Sequence, residues 1–425
     1  MAVVENGGQP ALPNSFPETE GLQAKPPTET YLGSPPLPTD VPEKKVNHGV
    51  TGLGAPKTAH KYLRSLKKGK ALEELYLGDG DYAEVDLSQA EQYVRDRYDL
   101  GKSPYVVFSA GGSDEILERL VWAMPNPPTT TRILTLGPCF PNLVNFAVRL
   151  RGANPENSFL RYGPLDGPKE SSLYKPLSER IDPSIKWLKT KKRIGRMKNG
   201  EEDRQIVYLN TPNNPTGDIL PYEGQREIVR TCAELGIPVI IDGAYGDFVD
   251  DKFSPAHFTK EFPNVIYLDS GSKGKGMAKT KVGTGIMSPE EGKKYDSVRR
   301  PLDYADPKLD ILNYVLEPES LKAFLEPMRK ETRKRKEFTM NVAEELRIST
   351  LPTHEDTPTL VFDGGYENFV TELSAEYGIV LASGKTYALT HRGINSDRFG
   401  RMTVLPIQET REVLRMMRAA INAAA

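Results

Sequence analysis

The chain reads as an α/β protein, a mostly parallel sheet with helices on both faces, followed by a smaller α+β domain. Short β-branched runs stand at 105–108 (YVVF), 132–136 (RILTL), 206–209 (IVYL), 238–242 (PVIID) and 265–269 (VIYLD). Helical patterns separate several of them, at 114–123 (DEILERLVWA) and 223–235, and this alternation argues for parallel strands covered by helices. Each run also ends in a polar or glycine-rich turn: SAGGSDE, GPCFPN, NTPNNPTG, DGAYGD and DSGSKGKG. Open α/β sheets bind ligands outside the carboxyl ends of their strands, so these five turns converge on one candidate site.

In chain order, residues 1–44 are rich in Pro, Glu, Thr and Gly without apolar periodicity, the composition of an arm that buries too little surface to order itself. Residues 45–95 are expected to form the N-terminal part of the smaller domain and dimer contacts, and 96–309 the large domain. From 310 to 425 the C-terminal small domain begins with a long charged helix pattern (328–347), continues with strands near 359–362 and 401–404, and closes with a helix from Glu409. Two basic clusters, 189–198 and 329–336, are read as solvated surface because acidic residues accompany both.

The 56 Lys and Arg nearly balance 58 Asp and Glu, which removes the electrostatic footprint of a dedicated nucleic-acid binder. With 38% hydrophobic residues the chain is too apolar to be wholly disordered. Cys139 and Cys232 are too few for a disulfide framework and read as small buried hydrophobes in a reducing compartment. No apolar run approaches the length of a membrane span, and no secretory signal pattern opens the chain, so a cytoplasmic protein with no membrane contact is expected. The five histidines have no metal-ligand spacing, so no metal is expected. His391 stands near a carboxyl-terminal strand and is read as structural. SGKT at 383–386 ends like a phosphate loop, yet the position of its required first glycine is Ile379.

The stretch 268–283 (LDSGSKGKGMAKTKVG) carries the most chemistry. A lysine among serines and glycines just beyond a buried strand suits a reactive amine. The small residues admit a bulky cofactor, and Ser270 and Ser272 can hydrogen-bond a phosphate. Upstream stand NTPNNPTG at 210–217 and IDGAY at 241–245. Alone, the first is a turn and Asp242 a strand-end cap. Together with Lys273 they supply an acid, hydrogen-bond donors and an amine, the parts that a pyridoxal phosphate site needs.

In these motifs the sequence resembles the fold-type I pyridoxal-phosphate enzymes of the class I/II aminotransferase superfamily, over roughly residues 70–425. The resemblance implies that Lys273 forms a Schiff base with the cofactor and moves the substrate α-proton. It implies that Asp242 holds the pyridine nitrogen protonated, and that Asn214 and Tyr245 donate to the ring oxygen. Backbone N–H groups of Gly112, Ser113 and Asp114 would meet the phosphate at a helix N-terminus. Phe140 in GPCF would stack on the ring, and Arg401 in GRMTV would clamp the substrate carboxylate. Tyr82 in DGDY would reach the partner subunit's phosphate in a homodimer with shared active sites.

The sequence departs from the family where an arginine usually grips the phosphate. Lys281 stands there, with Lys275 and Lys279 crowding the same loop. The implied activity is an aminotransferase acting on an L-amino acid with a keto-acid acceptor. A lyase, cyclase or oxidase of an amino acid on the same fold is the alternative.

Overall fold

In a computed structural model of the chain, seven strands form one sheet in the order β1-β7-β6-β5-β4-β2-β3. The described residues are 57–66, 85–123, 131–143, 145–146, 160–164, 170–191, 204–298, 306–387 and 391–424. The expected arm, 1–44, and Tyr82 lie outside them. The strands are β1 (Tyr105–Ser109), β2 (Thr131–Thr135), β3 (Leu160–Pro164), β4 (Arg204–Asn210), β5 (Val239–Asp242), β6 (Val265–Ser270) and β7 (Gly283–Met287). All run parallel except β7, which is antiparallel to both β1 and β6.

Alternate side chains of these strands enter two apolar layers, as a sheet covered on both faces requires. Val106, Phe108, Leu209, Ile241 and Tyr267 face one layer, which helix Tyr222–Leu235 closes with Ile228, Val229 and Cys232. Val107, Ile206, Tyr208, Ile240 and Leu268 face the other, where helix Ser113–Ala123 contributes Ile116, Leu117 and Leu120. Full burial of each such side chain contributes about 1.5–3 kcal/mol. Helices Lys57–Leu66 and Ser88–Arg97 add Ala59, Tyr62, Ala90 and Val94 to the first layer. Both cysteines are buried and neither forms a disulfide, and burial pushes the Cys232 thiol up to about 12.

The second sheet has four antiparallel strands in the order β10-β11-β9-β8: β8 (Ser349–Thr350), β9 (Thr359–Asp363), β10 (Ala382–Ser383) and β11 (Phe399–Thr403). Helices Pro318–Glu345, Phe369–Tyr377 and Ile407–Ala424 accompany it, through a core that includes Val342, Phe362, Leu373, Met402 and Leu414. Among the described residues no helix is long and apolar enough to cross a membrane, and no group of three or more potential metal ligands occurs.

The reading of 329–336 as solvated surface holds for Lys330, Arg333 and Lys334, which are exposed, and is corrected for Arg329 and Lys336. Arg329 and Lys336 are seven residues apart, two helical turns, and share the inward face of helix Pro318–Glu345 with Thr332 and Thr339. Arg329 donates to the Asp247 carbonyl at 2.6 Å and to Asp251 Oδ1 at 2.7 Å. Lys336 is fully buried and donates to Thr353 Oγ1 at 2.7 Å and to the Thr359 carbonyl.

Burial pulls the Lys336 ammonium well below its ordinary range, and Asp218 only partly opposes this. The unfolded chain therefore binds more protons than the folded one between the depressed value and the ordinary 10.5. Stability rises with pH through that window and falls as acid is added. Lys336→Met removes the penalty and is expected to add about 1–3 kcal/mol at neutral pH. Urea unfolding at several pH values checks this, because the variant's midpoint loses most of the wild-type rise toward alkaline pH.

Candidate active site

The strand register sets the exits of the large sheet side by side. Gly283 at the start of β7 pairs with Ser109 at the end of β1 and with Ser270 at the end of β6, and Asn210 pairs with Asp242 across β4 and β5. The turns after β1 and β6 are thus joined through β7 and those after β4 and β5 directly, while β2, which precedes GPCFPN, ends beside β4 with Thr135 paired to Tyr208.

Asp242 is buried at the end of β5. The Tyr208 hydroxyl donates to its Oδ2 at 2.6 Å and the Ala244 N–H to its Oδ1 at 3.0 Å. Burial raises the carboxyl above its ordinary range, while those two donors and the Lys273 cation pull it back. A cationic ring nitrogen would compensate this desolvation and favour the carboxylate. The Asn210 amide donates to the Asp242 carbonyl at 3.3 Å, and its oxygen receives the Asn214 N–H at 2.7 Å. The turn after β4 is thereby held against the end of β5.

Lys273 follows β6 on a turn in which Ser272 N–H donates to Ser270 Oγ at 3.2 Å. Its amine stands 5.7 Å from the centre of the Tyr245 ring. Lys275, two residues on, is instead held by Asp247 and Asp269. Lys279 and Lys281 are exposed. Lys281 adopts a left-handed backbone, φ 54°, and its carbonyl lies against Gly112, φ 80°. A side chain at Gly283 would put its Cβ 2.5 Å from the Ser113 nitrogen, so glycine there permits the turn before helix Ser113–Ala123 to pack on β7. The first-turn N–H groups of that helix, at Ser113 and Asp114, precede its intrahelical bonds and form an anion-binding end.

Arg401 reaches the large sheet from β11. Its Nη1 donates to Asn214 Oδ1 at 3.0 Å and to the Tyr387 hydroxyl at 3.3 Å, and Tyr387 donates to the same Asn214 oxygen at 3.3 Å. Burial pulls the guanidinium down, but the facing Tyr387 and Tyr245 hydroxyls hold it above its ordinary value. Phe140 packs on the apolar cluster of Tyr387, Leu173 and Val361. Lys273, Asp242, Tyr245, Asn214 and Arg401 thus form one continuous neighbourhood.

Sequence reasoning overlooked Tyr387, which completes the Asn214–Arg401 contact. Its signal was positional: it follows β10, which pairs with β11 through Ser383 and Gly400, next to Arg401. His391 is occupied locally, with Nε2 3.0 Å from Ser172 Oγ and Nδ1 accepting the Gly393 N–H at 3.1 Å.

Two buried groups that face each other at this junction, the Tyr245 hydroxyl and Arg401 Nε, make no hydrogen bond of good geometry among the described residues. Unpaired buried donors cost about 1–3 kcal/mol each, and a bound ligand with oxygen acceptors removes that cost. A buried carboxyl, an amine, orphaned donors and a helix N-terminus together fit a phosphorylated aromatic aldehyde.

Residues 182–417, more than half of the 425, match the family described as Aminotransferase class I and II. The histidinol-phosphate aminotransferase of Methanopyrus kandleri is 28% identical over 188 residues, 44% of this chain and 40% of that one. That of Campylobacter lari is 24% identical over 313 residues, 72% and 77% of the two chains. The chain spans less than two thirds of the length of several such curated relatives. The solved histidinol-phosphate aminotransferase from Sinorhizobium meliloti, in complex with pyridoxal-5'-phosphate, shares the fold, with 18% identity, a TM-score of 0.63 and coverage of 89% of this chain and 90% of that one.

Proposed function

The chain belongs to the class I and II aminotransferase family, which is pyridoxal-phosphate-dependent, and from that premise we propose that it transfers the amino group of an L-amino acid to a keto acid, with Lys273 carrying the cofactor. The observation that carries this reading is the Lys273 amine, partly exposed and 5.7 Å from the Tyr245 ring, while the neighbouring Lys275 is buried in ion pairs.

When bound, pyridoxal phosphate supplies an aldehyde that links the amino group and a ring that accepts the electron pair left by proton removal. Lys273 takes the proton from the substrate α-carbon and returns it, as a base whose amine is held by no ion pair among the described residues. Asp242, kept dry and oriented by Tyr208, holds a proton at the ring nitrogen through a charge-assisted bond. Tyr245 and the Asn214 amide would donate to the ring oxygen, and Phe140 would lie against the ring. Gly112, Ser113, Asp114, Ser270 and Ser272 would hold the phosphate, with Lys281 supplying charge. Arg401 binds the substrate carboxylate, or the anionic group of another amine such as the histidinol phosphate in the relatives' names. We place the enzyme in the cytoplasm as a homodimer in which Tyr82 completes the partner's site, with domain limits at 44, 95 and 309.

The test is a panel of amino acids and histidinol phosphate added to purified protein while cofactor absorbance is followed. The visible band is expected to fall with one donor, release one carbonyl product per site, and return on addition of a keto acid. Stoichiometric ammonia release without an acceptor would replace this reading with elimination.

A further inference from the structure

The loop that carries Lys273 contains Gly271, Gly274 and Gly276, and so many glycines leave the chain free to move unless something pins it. The structure pins it at Lys275. This ammonium has three N–H donors and meets three carboxylate oxygens: Asp247 Oδ2 at 2.8 Å, Asp269 Oδ1 at 2.9 Å and Asp269 Oδ2 at 2.8 Å. The three side chains are 2%, 1% and 5% exposed. With every donor engaged and no exposed face, Lys275 is unavailable to a phosphate.

The partners come from the two strand exits that form the site. Asp269 is the penultimate residue of β6, four residues before Lys273, and Asp247 lies two residues beyond Tyr245 on the exit of β5. Gly274 lies directly against Asp247, and a Cβ there would fall 2.1 Å from the Asp247 Cβ. Asp247 is braced in turn. Its Oδ1 accepts from Arg97 at 2.9 Å, and its carbonyl accepts from Arg329 of helix Pro318–Glu345 at 2.6 Å. Both arginines also bind Asp251. Burial pushes the Asp247 carboxyl up, but Lys275 and Arg97 hold it below its ordinary value, so it stays ionised.

We propose that Lys275 is a positioning residue, whose ammonium joins Asp247 to Asp269 and thereby sets where the Lys273 amine stands relative to Tyr245 and Asp242. This inference rests on Lys273 as the cofactor lysine. It concerns the loop's placement, not the chemistry of the amine.

Two variants separate positioning from folding. Lys275→Met removes the cation and strands Asp269 as a buried carboxylate, so this protein is expected to be unstable. Lys275→Met combined with Asp269→Asn removes both charges, leaves Asp247 paired with Arg97, and is expected to melt close to wild type. In that double variant, amide exchange over 271–276 of the cofactor-free protein should speed up while β4 is unchanged. The cofactor should bind about tenfold more weakly or worse, and borohydride trapping on Lys273 and kcat should fall by about the same factor, with KM for the amino acid moving less. A well-folded double variant with wild-type loop exchange, cofactor affinity and trapping rate would overturn the clamp and leave Lys275 a folding residue. Failure of the reading beneath it looks different: wild-type protein itself would then trap no cofactor on Lys273.

Discussion

Lys273→Ala is expected to lower amino-group transfer by about three orders of magnitude or more and to abolish borohydride trapping of the cofactor, while thermal stability stays near wild type. The two halves of this result have separate causes. Catalysis depends on an amine at this position, and alanine supplies no base for the α-proton. Stability depends on it little, because Lys273 is partly exposed and its amine faces the Tyr245 ring at 5.7 Å, a contact worth about 0.5–1 kcal/mol at such sites. Peptide mapping after borohydride reduction checks the assignment directly. The adduct belongs on Lys273, and its appearance on Lys275, Lys279 or Lys281 in wild-type protein would move the active site. Externally added methylamine should restore part of the rate in the alanine variant, since it returns a base to the space left by the side chain.

The parallel strands were legible because burial on both faces demands continuous apolar runs, and VIID and VIYLDS are buried at every position. The antiparallel β7 was not. Its sequence, GTGIM, carries two glycines that weaken any strand pattern, yet both are structural requirements. Gly283 lets the turn at Ser113 approach, and a Cβ at Gly285 would fall 2.8 Å from the Val107 side chain. In the basic run 329–336 the interleaved acidic residues suggested solvent, which holds for Lys330, Arg333 and Lys334, whereas helical geometry turns Arg329 and Lys336 inward to partners far away in sequence. For the same reason Tyr387 stayed hidden: its hydroxyl meets Asn214 across 173 residues. Local motifs singled out Lys273, Asp242 and Asn214 because each lies at or just beyond a buried strand's end in a stretch continuous in sequence, and Arg401 because it interrupts the apolar run of β11. Which of the crowded lysines is buried depends on where Asp247 and Asp269 converge, and no spacing within 268–283 contains that.

Arg401→Lys is expected to reduce kcat/KM for a carboxylate-bearing amino donor by about 100-fold, close to 3 kcal/mol, with most of the loss in KM. The charge survives this substitution, so the loss measures geometry. In the native site Nη1 is anchored by Asn214 Oδ1 at 3.0 Å and Tyr387 at 3.3 Å, which fixes the plane of the guanidinium, and Nε is buried without a hydrogen bond of good geometry among the described residues. A carboxylate that meets the remaining edge of a fork already held in place gains paired bonds at little further cost in side-chain entropy. A lysine ammonium has no planar fork, and to reach the substrate it must give up the Asn214 contact that positions it. The loss should therefore be specific to the anion. An amine donor of the same shape without a carboxylate should react with the variant and the wild type at rates within about threefold of each other, because neither protein has an anion to grip. Equal losses for both donors would mean that Arg401 acts through the Asn214 turn, shifting the group that faces the ring, and would remove it from the substrate-binding surface.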